Sequence, residues 1–344
     1  MKNIYIGSAL FLIIGFVFFS CDDSFLDTVS TDTYNEANWW KTEDQAISSI
    51  NGCYAVLNDE RIGGHIKLYD EMATPNGYSP QYYPNLSRGS HNSGNETQFQ
   101  LFWNSNYKGV GRVNNFLENI DRVVLEESLL NRVKGEAYFL RALFYSNLVN
   151  YYGGVPLILE SPSLGEQEVA PRNSKEEVIV QMLNDLDDAI DLLPVSYDGD
   201  NIGRATKGAA LSLKARVLLY ESRWDEAAAI AKQVIDMNTY SLFPNYRDLF
   251  MAENENNSEI IFDVQYKSPD IFNKFDRTLL LETSPSPTLD LINSYLMVDG
   301  KNIAESNLYD PEFPFRDRDS RLLQTILIPG YFFRGQVIRE DAYT

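Results

Sequence analysis

The sequence predicts a fold dominated by α-helices, arranged as a solenoid of helical hairpins with long irregular loops and a few short strands. Apolar residues recur at every third or fourth position through most of residues 42–240, which is the period of a helix with one buried face. Two segments also resemble each other, since residues 135–142 align with residues 208–215 at an offset of 73 residues. That offset is close to two units of the ~34-residue helical-hairpin repeat, so we expect a tetratricopeptide-like scaffold.

The first twenty residues are predicted to be a signal peptide. Lys2 precedes an apolar run over residues 4–19, which is shorter than the roughly 20 residues that span a bilayer. A positive start, an apolar stretch and a small residue before the processing point are typical of secretion. Ser20 before Cys21, followed by Asp22 and Asp23, resembles the processing and surface-export site of Bacteroidetes-type lipoproteins. We therefore expect lipidation of Cys21 and a tether over residues 21–41; the alternative is a plain signal peptide.

Residues 42–240 form the predicted helical scaffold. Thr42 and Ser174 occupy N-cap positions, and Ser174 is followed by Glu177 in a capping box. Gly153 and Gly154 end one helix. The helix pair over residues 206–239 has the length of one repeat, with small residues that let the two helices approach closely. The predicted helices cover residues 42–57, 103–120, 130–148, 174–193, 206–220 and 224–237.

Two parts of the chain lack sustained helical periodicity. Residues 61–98 form a long polar, aromatic and glycine-rich loop, and a loop of that length inside a compact domain is usually functional. After residue 240, prolines divide residues 241–344 into short pieces. Within that irregular segment, residues 260–264 and 325–328 are candidates for short strands.

The charge balance argues against several functions. The chain has 49 Asp and Glu against 29 Lys and Arg, a net charge of −20, whereas nucleic-acid binding needs a basic face.

His65 and His91 are the only histidines and have no Glu at ligand spacing, so we expect neither a metal site nor a cofactor. Cys53 falls on an apolar helical stripe, which favours a buried structural thiol.

The loop of residues 61–98 carries the candidate ligand-binding residues. A sugar offers an apolar C–H face and a ring of hydroxyls, so its sites combine aromatic side chains with amide, carboxylate or guanidinium groups. The candidates are tyrosines, asparagines and one arginine: Asn76, Tyr78, Tyr82, Tyr83, Asn85 and Arg88. The alternative for each is that it packs the loop onto the scaffold. The four tryptophans lie at helix starts or on apolar stripes, so we expect core packing for Trp39, Trp40, Trp103 and Trp224.

Taken together, these segments resemble the SusD/RagB family of outer-membrane lipoproteins. The most specific pieces are Arg-Ala at residues 141–142 with Tyr-Gly-Gly-Val-Pro-Leu at residues 152–157, and Ala-Thr-Lys-Gly-Ala-Ala at residues 205–210. Further matching segments lie at residues 21–27, 40–44, 51–54, 114–116, 214–216, 287–288, 293–300 and 318–322. Ser320 departs from the proline usual in the last of these. Family members continue beyond that point to a further helix, so we expect the C-terminal helices of the family to be missing here.

The resemblance implies a cell-surface, non-enzymatic receptor. Members of the family capture oligosaccharides or other nutrients at the outer membrane and deliver them to a SusC-like TonB-dependent transporter. A peptide-binding, RagB-like receptor is the main alternative because the family includes such members. A glycoside hydrolase with two carboxylates is the second alternative, but with 49 acidic residues a candidate pair can always be found.

Overall fold

The computed structural model describes residues 39–79, 84–92, 94, 97–161, 170–267, 269, 271–275, 285–333 and 335–338. The predicted signal peptide and almost all of the tether, with Cys21, lie outside the described residues. The described part of the chain is mostly helical with a few two-residue strands, which confirms the predicted fold class. The helices are α1 (Glu43–Tyr54), α2 (Pro84–Ser87), α3 (Thr97–Asn119), α4 (Glu127–Tyr152), α5 (Lys175–Leu192), α6 (Lys207–Tyr220), α7 (Trp224–Asp236), α8 (Leu289–Ser294) and α9 (Arg321–Thr325).

Three of the six long helices, α1, α5 and α6, begin at a polar N-cap side chain. The side chain of Thr42 accepts a hydrogen bond from the backbone of Gln45, and Ser174 and Glu177 form the predicted capping box. Helix α4 ends at Gly153, whose positive φ of 69° is a conformation that glycine adopts without strain. Consecutive long helices then pack side by side from α3 to α7, and α1 packs against α3 and α4. A solenoid of helical hairpins requires such packing of each helix against the next.

One apolar core runs through this scaffold from α1 to α6. Its fully buried side chains include Ile50, Phe116, Leu140 and Leu186. Gly135 and Gly208, which head the two similar segments, both lie in close contacts. A Cβ on Gly135 would come 2.9 Å from Leu193 Cγ, and one on Gly208 would collide with the ring of Tyr240. The two segments are therefore similar because both need a glycine where another element approaches the helix.

A buried polar network joins three of these helices. Arg141 on α4 donates to both carboxylate oxygens of Asp185 on α5, at 2.8 and 2.7 Å. Arg141 also donates to Asn114 on α3 at 3.1 Å, and Asn114 in turn donates to the carbonyl of Ile158 at 2.9 Å. Hydrogen bonds to Asp185 raise the pKa of Arg141 against the lowering effect of its burial. The Arg-Ala pair at residues 141–142 thus serves the packing of the scaffold.

The irregular parts contain short strands at other places than expected. β1 (Gly77–Tyr78) pairs antiparallel with β2 (Ser286–Pro287), and β3 (Phe332–Phe333) pairs antiparallel with β4 (Gln336–Val337). Residues 260–264 and 325–328 have no ladder partner among the described residues, so the expectation of strands there was wrong. The loop of residues 61–98 is also more structured than expected, since residues His65–Ala73 form a 3-10 helix and α2 follows.

The tryptophans divide between the core and the surface. Trp40 is buried with its ring 5.9 Å from Phe116, and Trp39 and Trp103 pack against the same core. Trp224 instead is 60% exposed, so the expectation of core packing was wrong there. It starts α7, a helix that buries only Ala227 and therefore leaves the rest of its apolar stripe at the surface.

Candidate functional site

The predicted ligand loop is attached to the late part of the chain by a short strand pair. Tyr78 pairs with Ser286 and Gly77 with Pro287. Next to this pair, the backbone N–H of Thr288 donates to the carbonyl of Asn76 at 3.0 Å, and the Thr288 hydroxyl donates to the carbonyl of Pro75. Two segments about 200 residues apart in sequence therefore meet at the base of this loop.

Tyr78 and Arg88 are the predicted site residues that the structure brings together. The ring of Tyr78 is 41% exposed, and its hydroxyl accepts a hydrogen bond from Arg88 Nη2 at 3.3 Å. The side chain of Asn76 is engaged elsewhere than in this pair, since it donates to Glu71 Oε2 at 2.9 Å. The backbone carbonyl of Asn85 accepts from Ser90 at 2.8 Å, which closes the turn after α2. Tyr82 and Tyr83 lie outside the described residues.

A second polar and aromatic cluster on this loop was missed in the sequence. Lys67 forms an ion pair with Asp70 at 2.7 Å, and the hydroxyl of Tyr151 at the end of α4 donates to Asp70. The ammonium of Lys67 also lies 5.2 Å from the ring centroid of Phe102 and 5.0 Å from that of Tyr151. The pair of tyrosines at the end of α4 was the available signal, but only the fold shows that they face the loop. This cluster fastens the first half of the loop to α3 and α4.

Aromatic rings pack behind this cluster. Trp103 packs on Tyr107 and on Tyr152, with ring centroids 4.8 and 5.0 Å apart. Arg172 lies 6.0 Å from the Trp103 ring and donates to the carbonyl of Tyr152 at 2.8 Å. Burial raises the pKa of Tyr152 to about 12, so its phenol stays protonated and donates to the carbonyl of Phe99 at 2.6 Å.

A large cavity lies elsewhere, between residues 246–251 and residues 323–338. It encloses about 540 Å³ and is lined mainly by apolar side chains, several of them half-exposed aromatics. Its aromatic lining consists of Tyr246, Phe250, Tyr331, Phe332 and Phe333. After α9 ends at Thr325, residues 326–328 line it as an extended segment, with Ile326 and Ile328 turned into a small core and Leu327 to the surface.

Charged residues near the end of the chain hold that segment together. Arg318 is buried and donates to the carbonyls of Ile292 and Tyr295, both at 2.7 Å. Asp319 accepts hydrogen bonds from Arg321, which lower the pKa of its carboxyl to about 2. Arg318 and Asp319 thus have a structural role. In the described ranges no group of three or more His, Cys, Asp or Glu side chains could hold a metal ion.

No helix in the described part of the chain is both long and apolar enough to cross a membrane.

Comparison with known proteins gives a consistent result. The model of a SusD-like family, described as starch-binding and associating with the outer membrane, matches residues 24–219. A SusD-like protein of Formosa agariphila is 26% identical over 275 residues, which cover 76% of this chain and 52% of that protein. This chain therefore spans about half the length of that relative.

Solved structures point the same way. A SusD-like protein of Bacteroides fragilis superposes with a TM-score of 0.76 at 29% identity, covering 87% of this chain and 62% of the other. A laminarin-binding SusD-like protein superposes with a TM-score of 0.59 at 27% identity, covering 64% of this chain and 51% of the other.

Proposed function

Because this chain belongs to the SusD-like family, we propose that it is a cell-surface glycan-binding lipoprotein of the outer membrane, which captures an oligosaccharide and delivers it to a SusC-like TonB-dependent transporter. The description of the family as starch-binding and the laminarin-binding neighbour support a glycan as the ligand. Cys21 carries the lipid anchor in this proposal, and acyl chains contribute roughly 0.8 kcal/mol per buried CH₂ to membrane binding.

The pairing of Tyr78 with Arg88 is the observation that carries the proposal. The half-exposed Tyr78 ring offers a face for the C–H side of a sugar, and the neighbouring guanidinium offers donors for its hydroxyls. The strand pair β1–β2 and the cluster around Lys67 hold this loop in place, which reduces the ordering cost of binding. We propose Asn76, Tyr82, Tyr83 and Asn85 of the same loop as further ligand-binding residues, with Asn76 exchanging its hydrogen bond to Glu71 for one to the ligand.

The two buried acids, Glu136 and Asp185, do not offer a catalytic pair. Hydrolysis of a glycoside needs two carboxyl groups roughly 5–9 Å apart that both reach the substrate. Glu136 has a pKa raised by burial, but its side chain has no exposure and is enclosed by Arg132 and Arg204. Asp185 is equally buried and is held by Arg141. A substrate could touch neither carboxyl.

A titration of the mature chain tests the proposal. Purified residues 22–344 are titrated calorimetrically with starch and laminarin oligosaccharides and with a panel of oligopeptides. We expect saturable heats with a glycan, at least tenfold weaker in Tyr78→Ala and only slightly changed in Tyr78→Phe, because phenylalanine keeps the stacking face. Tyr220→Ala is the matched control, since Tyr220 is also exposed but lies on α6.

Three outcomes contradict parts of the proposal. Binding of peptides alone would favour the peptide-receptor alternative. Release of shorter sugars during incubation would overturn the non-catalytic role. Equal affinities of wild type and Tyr78→Ala would remove the loop from the site.

A further inference from the structure

Two adjoining open cavities form a cleft with a mixed polar and apolar lining around the entry to α6, separate from the loop of residues 61–98. Their volumes are about 240 and 320 Å³, and both are lined by Ile202, Gly203, Arg204, Phe262 and Asp263. We propose that this cleft is a second binding site for a neutral oligosaccharide. The inference rests on the proposed glycan-binding function and adds a site and a ligand class to it.

The floor of the cleft is already organised by a buried charge cluster. The guanidinium of Arg204 donates to Glu136 at 2.9 Å, to Asn51 at 2.7 Å and to Asn201 at 3.0 Å. Arg132 adds a second ion pair to Glu136 at 3.4 Å. Each nitrogen of Arg204 thus makes one hydrogen bond within the protein, and these contacts hold the floor together.

Two tyrosines complete this floor. The hydroxyl of Tyr54 accepts a hydrogen bond from the backbone N–H of Ala205 at 3.0 Å, and the hydroxyl of Tyr197 donates to the carbonyl of the same residue at 2.9 Å. Burial raises the pKa of both phenols, so both stay protonated. A rigid floor of this kind costs a ligand little reorganisation.

The opposite wall of the cleft is the segment of residues 256–265, which lies close to Gly203. Gly203 has φ +94°, and a Cβ there would lie 2.8 Å from the end of the Gln265 side chain. Gln265 donates to Asn256 at 2.5 Å. The absence of a side chain at Gly203 therefore lets this wall approach the loop before α6 and sets the width of the cleft.

The lining chemistry selects a neutral polyhydroxyl ligand. Most polar lining groups are amides, hydroxyls and two carboxylates: Asn51, Asn58, Asp200, Thr206, Tyr240, Asn256, Asn257, Asp263 and Gln265. Arg204 is the one cationic side chain among the described residues of the lining, and its charge is paired with Glu136. A phosphate or sulfate group would therefore be repelled by the carboxylates, and it would find no unpaired cationic side chain among the described lining residues. Ile202, 50% exposed between the two cavities, offers an apolar contact for a C–H face.

Calorimetric titration of residues 22–344 with laminarihexaose and maltohexaose tests the inference. Two variants alter the cleft: Ile202→Trp fills the junction of its halves, and Asn58→Ala with Asp263→Ala removes rim groups. Ile235→Trp is the control, because Ile235 is also exposed but lies on α7. Thermal melts verify that each variant is folded. We expect two sites in the wild type and one site in either cleft variant. Adding Tyr78→Ala to a cleft variant should then abolish the remaining loop site.

The outcomes separate this inference from the proposed function. A single site that Tyr78→Ala abolishes and the cleft variants leave unchanged would overturn the second site while the glycan-binding function stands. Tighter binding of a sulfated oligosaccharide than of its neutral counterpart, lost in the cleft variants, would overturn the ligand class. No heat with any glycan would overturn the proposed function and this inference together. A site lost only in the cleft variants would support the cleft and remove the loop from the ligand-binding surface.

Discussion

The pair of Arg141 and Asp185 gives the sharpest quantitative test of how this scaffold is held together. The Asp185 side chain is 1% exposed and accepts two hydrogen bonds from Arg141. Asp185→Asn keeps the size of the side chain but removes the charge opposite a buried guanidinium. Breaking one partner of such a buried pair costs about 3–5 kcal/mol.

That loss converts into a large change in melting temperature. A domain of this size loses roughly 2 °C per kcal/mol, so we expect Asp185→Asn to melt about 6–10 °C below the wild type by calorimetry or circular dichroism. Asp187→Asn is the matched control, because Asp187 lies on the same helix and pairs with Lys214, yet its side chain is 58% exposed. Exposed pairs contribute about 0–1 kcal/mol, so this control should melt within about 2 °C of the wild type.

A double replacement refines the same reasoning. When both partners of a buried pair become apolar, no uncompensated charge is left, and such swaps are often neutral. Arg141→Met combined with Asp185→Leu should therefore melt higher than Asp185→Asn alone, although Asn114 loses its contact with Arg141. The reasoning would be refuted if Asp185→Asn melted no lower than Asp187→Asn.

Three further predictions concern single residues. Burial raises the pKa of the Cys53 thiol to about 12, so residues 22–344 should show no thiol reaction with a disulfide reagent at pH 8 until denaturant is added; reaction of the native protein would contradict this environment. Cys21→Ala should move the protein from the membrane fraction to the soluble fraction, and an unchanged distribution would rule out the lipid anchor. Trp40→Ala should cost about 3–5 kcal/mol of unfolding free energy, whereas the exposed Trp224→Ala should cost within about 0.5 kcal/mol, and equal losses would contradict the difference in burial.

The helices of the scaffold could be predicted from sequence because their signals are local. The stripe through Val178, Met182 and Leu186 is fully buried on α5, and the capping box at Ser174 forms as expected. A helix carries its own hydrogen-bond partners within four residues, so a short window of sequence contains the information. This also explains why the boundaries of α5 and α6 agree with the prediction to within a residue or two.

The strands and the site could not be predicted in the same way. Tyr78 lies in a strand only because Ser286 is opposite to it, and no local pattern indicates a partner about 200 residues away. The apolar run of residues 260–264 resembles a strand but packs onto the scaffold through Phe262, whose ring lies 5.0 Å from that of Phe139. The prediction that Trp224 packs in the core was wrong for a related reason. An apolar stripe shows which face of a helix can be buried, but it does not show whether another element packs against that face.

The attachment of the ligand loop explains how a solenoid can hold one particular binding surface. The loop is joined to α4 through Tyr151 and Asp70, and to the late segment through Thr288 and the strand pair. Neither attachment includes Arg141 or Asp185, which join the helices to one another. In the proposed function, scaffold stability and ligand affinity therefore depend on different contacts, and we expect that loop residues such as Tyr78 and Arg88 can be replaced without loss of the fold. The same proposal implies that the scaffold can keep its helix contacts while the chemistry of the loop changes to suit another ligand.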